Sequence, residues 1–537
     1  MRRIALIAAA AILVMQLMAA IGLAGRPLHY DENEYMHASW LMAAGKTIYR
    51  DFFEDHPPHL FLALHGVMPR GDVRAIDVHA WTIRARVMSG AFGMLAIAAV
   101  MVFSWRLAVG GWRSQAADNC QPPTANRQPG YSAPIVAAAT LVTSAQIWSR
   151  GLADIRAEAP ALALFWWGIV LLTWSLDRPW RAGAGIGLMF FATVWNPKWP
   201  LECALAGGYF VWLLWKTRRF ESLIPASVIS AVAVLPLFTV TNVRDYLFFN
   251  FQLKSEVVGD FTANPWIVRF FEQVPVWSSA SPQHRWWWIV IAIAIGAIGI
   301  RVRRLAEPRL AWIALALAAS ALLEFRFIYP YPYLWAQYLV MIATSAALVY
   351  AVIAALLPER VQIVVLIAAL IAAIVPLQRK AFSAEPSSWT RYWRMQRTLQ
   401  TSLRAEDTVW ISPPRHPVAA FDASYYWYNF RESTPSAIAA AKRHPEFLPP
   451  IGFNDLPPCA MNARYVEVGD WIPFLPNVCA CVERNLPRLS PTPALGIFEV
   501  GAAPRTESWF ARTRGLWSDL CRRQDVFLRG GQLNIGP

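Results

Sequence analysis

Apolar residues arrive along this chain in long blocks, separated by stretches dense either in arginine or in carboxylates and histidines. The blocks lie at about 4–25, 86–108, 133–148, 159–176, 182–197, 200–215, 222–240, 286–300, 310–328, 334–357 and 361–377. Blocks of roughly 20 residues with few charges match a hydrocarbon core about 30 Å thick. No water is present in that core to satisfy backbone groups, so each block predicts a helix. The pattern predicts a polytopic α-helical membrane protein of about 11 spans.

The polar stretches set its orientation. Arg2 and Arg3, Arg106, Arg113 and Arg127, Arg178 and Arg181, Lys216, Arg218 and Arg219, Arg301, Arg303, Arg304 and Arg309, and Arg360 all fall on one side if the N-terminus is cytoplasmic. That is the positive-inside pattern, and eleven spans then leave the C-terminus outside. The first apolar run exceeds the roughly 7–15 residues of a signal-peptide core, so it reads as an uncleaved anchor.

Composition sharpens this picture. Apolar residues make up 56% of the 537 and charged ones 16%, which excludes an ordinary soluble domain array. The net charge of +14 is largely these topological arginines. Nucleic-acid-binding motifs are absent, so no nucleic-acid partner is expected, and the charge suits anionic lipid headgroups of the surrounding bilayer.

Beyond residue 377 the texture changes. Residues 378–537 are rich in proline, with β-like runs at 407–412, 463–468 and 495–500 and helical stretches at about 388–404 and 434–443. This predicts a small C-terminal α/β domain on the extracytoplasmic side, following a membrane domain over 1–377. Cys459, Cys479, Cys481 and Cys521 fall in it, as an oxidising compartment permits, and their pairing is open. Cys-X-Cys with two distant cysteines is not a zinc spacing.

The densest chemistry lies in the outer loop 26–84. Asp31, Glu32, Glu34, Asp51, Glu54 and Asp55 share it with His29, His37, His56 and His59 and with the pair Pro57–Pro58. Asp31, Glu32 and Glu34 open an expected interfacial helix in which Met36, Trp40 and Ala43 recur at helical spacing and Gly45 supplies a stop. Acidic residues there also simply suit the helix dipole. Adjacent carboxylates, however, raise one another's pKa and make one a competent base. Pro57 and Pro58 stiffen the chain after Asp55 and His56. In the second outer loop, Arg150, Asp154, Arg156 and Glu158 flank a span. A guanidinium there matches a lipid phosphate, or else forms an internal Arg156–Glu158 pair.

The order of an apolar span, YDENEY, a helix ending in AAGKTIYRDF, then EDHPPHL and a short loop with DIRAEAP resembles the GT-C membrane glycosyltransferases. It is most similar to glycosyltransferase family 39, the protein O-mannosyltransferases and their bacterial relatives, including lipid A aminoarabinose transferases. The resemblance covers residues 1 to about 200. It implies that Asp31 activates the acceptor, that Glu32 is the second acidic position, and that Asp55, His56, Arg156 and Glu158 lie near the donor phosphate. The aminoarabinose group has lysine where this chain has His56. The luminal repeats of eukaryotic O-mannosyltransferases have no counterpart in residues 378–537, which leaves a protein acceptor open beside a glycan or lipid.

The resemblance implies transfer of a sugar from a polyprenyl-phosphate-linked donor to an envelope acceptor, at the outer face of the bacterial inner membrane, by inverting displacement. No cofactor is required, because no divalent-metal motif is clear, and a divalent metal stays open. Two other readings compete. A transporter would place ionisable groups at mid-membrane, where only Glu202 and Glu324 fall. A non-catalytic envelope assembly factor would leave the first-loop carboxylates idle.

Overall fold

The computed structural model describes residues 2–52, 54, 56–72, 75–109, 132–143, 153–174, 178–197, 199–253, 313–314, 316–320, 340–357, 359–382, 386–402, 409–410, 417–418, 443–447, 465–467, 489–491 and 497–500. Described secondary structure is mostly helical. In chain order the helices are α1 (Arg2–Leu23), α2 (Tyr30–Ala43), α3 (His59–Gly66), α4 (Val78–Val109), α5 (Ala133–Thr143), α6 (Glu158–Thr173), α7 (Pro179–Trp195), α8 (Pro200–Thr217), α9 (Leu223–Thr239), α10 (Val243–Leu247), α11 (Val340–Leu356), α12 (Glu359–Phe382) and α13 (Pro386–Ser402). A π-helical turn, Phe248–Gln252, continues α10. The strands are β1 (Val409–Trp410), β2 (Tyr465–Glu467), β3 (Leu489–Pro491) and β4 (Ile497–Val500).

Two helical stretches, Val78–Leu107 and Phe220–Thr239, are long and apolar enough to cross a membrane. Shorter apolar helices cover Ile7–Leu23, Glu158–Thr173, Ala343–Ala355 and Arg360–Ile371. The expected span 286–300, and most of 310–328, lie outside the described residues. Helix starts also differ from the apolar blocks. The second expected span begins at residue 86, whereas α4 begins at Val78, because a helix includes polar residues such as His79 and Arg84 that an apolar block omits.

Contacts divide the chain into two compact units, one of residues 1–25, 83–235 and 262–384, the other of 26–82, 236–261 and 385–537. In this grouping the first-loop segment falls in the same unit as residues 385–537.

The first unit is a helical assembly whose tightest joint is α6 against α7. Glycines let the two backbones meet, as small residues do in membrane helix pairs. A Cβ on Gly185 would stand 2.7 Å from the Gly168 carbonyl oxygen, and Gly183 lets α7 approach the Ser222 carbonyl just before α9 in the same way. Pro179 and Pro200 occupy first-turn positions of α7 and α8, where their missing N–H costs nothing. The buried Arg86 donates to the Ala24 carbonyl at 3.0 Å, just past the end of α1, where a cation complements the helix C-terminus.

The second unit combines α2, α3, the first turn of α4, α10 with its π-turn, α13 and a small sheet. Strand order is β1-β2-β4-β3, with β1 parallel to β2 and the other pairs antiparallel. Val409 faces Tyr465, and Glu499 lies between Tyr465 and Ser490. Three strands fall within the runs read from sequence. The fourth, β3, ends on Pro491 at a sheet edge, the part of a sheet that tolerates proline. On the helical side, His79 stacks on Trp393 with ring centroids 4.4 Å apart, and Gln400 donates to the Ile76 carbonyl at 2.9 Å. These contacts tie α13 to the start of α4.

Candidate functional site

Helix α2 organises the first-loop chemistry. Its start is fixed by Glu32, whose Oε2 accepts the His29 N–H at 2.8 Å and so occupies an otherwise orphaned donor. Its end follows the expected stop: the Gly45 N–H reaches the Met42 carbonyl, and Gly45 itself takes φ +85°, a conformation that favours glycine.

Along α2, Glu32, Asn33, Glu34, Tyr35, Met36, His37, Ala38, Ser39, Trp40 and Leu41 are all buried. Tertiary partners supply the cover. Ser39 Oγ donates to the Phe61 carbonyl at 2.9 Å, and His37 Nδ1 donates to the Pro417 carbonyl at 2.8 Å. Burial pushes the His37 imidazole down to about 4, against the opposing pull of that carbonyl.

The loop after α2 brings three ligand-bearing side chains together. One ligand atom from each of Glu34, Glu54 and His56 lies within 4.8 Å of the others. His56 Nδ1 donates to Glu54 Oε1 at 2.7 Å, and the His56 backbone N–H approaches the same oxygen at 3.2 Å. On the other side of the ring, Nε2 stands 3.4 Å from Tyr35 Oη. Glu54 is 2% exposed while the His56 side chain is 23% exposed, so the ring forms the open side of the cluster. Glu34, Glu54 and His56 have no metal-binding spacing in the sequence, and only folding makes them neighbours.

Tyr49 holds this loop in shape. Its backbone takes φ 68°, unusual for a bulky residue, and its ring is buried and stacked on Phe249 at 5.6 Å. Tyr49 Oη donates to the His56 carbonyl at 2.6 Å and accepts from Asn250 Nδ2 at 3.0 Å. Neither Tyr49 nor Asn250 was singled out from sequence. Asn250 lies 201 residues from Tyr49 along the chain, and no local pattern announces that contact.

The remaining candidates fall as follows. Asp31 sits half-exposed in the first turn of α2, and Glu32 is buried in the cap. Asp51 is bonded to the Thr47 N–H at 2.7 Å and to Arg50. Burial works to raise its carboxyl, but those hydrogen bonds and the Arg50 charge outweigh it and hold the group below the ordinary value. Asp55 and Arg150 lie outside the described residues, as do Cys459, Cys479, Cys481 and Cys521. Arg156 and Glu158 belong to the first unit, where Arg156 Nε meets Glu158 Oε2 at 3.3 Å with side chains 5% and 2% exposed. Asp154 beside them is buried too.

Compared with protein-family models, with curated proteins and with solved structures, the chain matches none.

Proposed function

We propose that the chain is a polytopic membrane glycosyltransferase that moves a sugar from a polyprenyl-phosphate-linked donor to an envelope acceptor at the outer face of the bacterial inner membrane. The observation that carries this reading is the first-loop constellation, in which Glu34, Glu54 and His56 converge and Asp31 sits half-exposed on the same helix as Glu34. It lies within the stretch whose motifs resemble GT-C enzymes.

The topology has support of its own. Two long segments assigned to the outer face, 26–84 and 378–537, correspond closely to two segments of the second compact unit, 26–82 and 385–537. Lipid contact is supported by α9, where Ile224, Val228, Val232, Leu235 and Phe238 are each more than half exposed along one helix. A stripe of that kind is costly in water and stable in lipid.

In the reaction, Asp31 takes the proton of the acceptor hydroxyl as its oxygen bonds to the anomeric carbon. The bond from that carbon to the phosphate oxygen breaks, and the lipid phosphate leaves with the electron pair. His56, oriented by Glu54, stabilises the charge that grows on the leaving group. One displacement inverts the anomeric centre. The roles of Arg156 and Glu158 toward the donor rest on the resemblance alone.

Two measurements test the proposal. Mass spectrometry of envelope lipids and glycans from a deletion strain should reveal an acceptor lacking one sugar. With that acceptor and a polyprenyl-phosphate sugar, purified Asp31→Asn protein should fold but turn over about 10²–10⁴-fold more slowly. An unaltered envelope in the deletion strain rejects the transfer reaction, and normal turnover of the variant removes Asp31 as base.

A further inference from the structure

We infer that Glu34, Glu54 and His56 bind a divalent transition-metal ion of the zinc or manganese class. The donor set is one imidazole nitrogen and two carboxylate oxygens. Zinc and manganese accept this mixture, whereas magnesium and calcium favour all-oxygen sets that retain water. An ion about 2.0–2.2 Å from each ligand needs ligand atoms roughly 3–4 Å apart. The three atoms already lie within 4.8 Å of one another, so rotamer adjustment is enough to close the site.

The surroundings fit the chemistry as well. Glu34 is 7% exposed and Glu54 2%, which keeps competing water from both oxygens, while the more open His56 leaves a side for entry and for a further ligand. The ion would take the place now held by the proton between His56 Nδ1 and Glu54 Oε1, which stand 2.7 Å apart and must separate slightly. The ring proton would then sit on Nε2, where Tyr35 Oη at 3.4 Å can accept it. Outer contacts of this kind fix the tautomer and orientation of a metal-bound histidine. Tyr49 adds a second restraint by holding the His56 carbonyl at 2.6 Å. Three protein ligands leave coordination positions for water or an anionic oxygen, the arrangement of a Lewis-acid site. An ion here would take over from His56 the stabilisation of phosphate charge, and only that consequence rests on the glycosyltransferase reading.

The test uses full-length protein, purified in detergent and stripped with chelator, with no sugar donor present. Zn²⁺ and Mn²⁺ are titrated separately by calorimetry, with Mg²⁺ as the contrasting ion, and thermal unfolding is followed with and without each. Wild type should bind one Zn²⁺ or Mn²⁺ per chain, more tightly than Mg²⁺, and unfold at a higher temperature when loaded. Glu54→Gln and His56→Ala should each weaken binding by more than about 100-fold, a larger loss than outer-shell changes give. Asp51→Asn, on the same loop but outside the trio, should bind as wild type. Glu34→Gln preserves shape and reads the site if the other variants fail to fold. Absence of one-to-one binding in wild type overturns the inference, as does binding unchanged in folded variants. Because the readout is binding, it stands apart from whether sugar is transferred.

Discussion

Glu54 with His56 and Arg156 with Glu158 are both ion pairs two residues apart, and in each the carboxylate is 2% exposed. They differ in what surrounds the cationic partner. The Arg156 side chain is 5% exposed and enclosed with its carboxylate at the start of α6, whereas the His56 side chain is 23% exposed. Glu34 and Tyr35 reach the His56 pair from α2, and Tyr49 grips its backbone with help from Asn250. A fully buried pair chiefly offsets the cost of its own burial. A pair with an open side and a converging third ligand has capacity left for an outside group. The same sequence spacing thus serves opposite ends, and burial of the partner decides which.

The largest test of that contrast is Arg156→Ala. Removing the guanidinium leaves Glu158 charged in a buried position, and stability should fall by about 3–5 kcal/mol. Chemical unfolding in detergent measures this. Adding Glu158→Gln should restore much of the loss, and in that double variant polyprenyl-phosphate affinity can be read without the stability penalty. Unchanged stability of the single variant would break the comparison, since the second pair would then be as open as the first.

Acid offers the next largest effect. His37 lies on α2 beside the cluster, and its pKa falls from 6.5 to about 4 in the folded chain. A histidine depressed in this way is kept neutral by the fold. Its stabilising contribution is complete above pH 6.5 and is lost progressively as pH falls toward about 4, by roughly 3 kcal/mol in all. Thermal unfolding of wild type across that window should show the slope, and His37→Gln should flatten it. An equal slope in both proteins would separate His37 from the acid response of the first-loop region.

Tyr49→Phe should give the smallest change, about 1–3 kcal/mol of destabilisation, because the His56 carbonyl loses its hydroxyl donor. Zinc affinity measured on the same variant sharpens the comparison. A weaker site would show that the His56 side of the comparison depends on the grip of Tyr49 on the loop.

Much of the architecture was legible from the sequence. The first apolar block forms the helix α1, the acidic helix with its Gly45 stop is α2, and three β-like runs contain β1, β2 and β4. The Arg156–Glu158 contact was readable too, since its partners are two residues apart. The cluster was readable only as a collection of residues in one loop. That Glu34 rather than Asp31 meets His56 depends on how α2 is turned, and sequence spacing carries no such information. The enclosure of α2 was missed for a related reason: its cover comes from Phe61 and from Pro417, 380 residues from His37.

What the sequence by itself determined about this protein is therefore what short-range rules encode. Apolar block length, helix stops and strand runs act over a few residues or along one element, and the chain repeats them plainly. What only the tertiary structure decided is convergence: the left-handed Tyr49, the reach of Asn250, and the meeting of two carboxylates with one imidazole. Those arrangements exist because packing α2, α3 and the α10 turn in one compact unit fixes side chains whose separation along the chain says nothing of their distance in space.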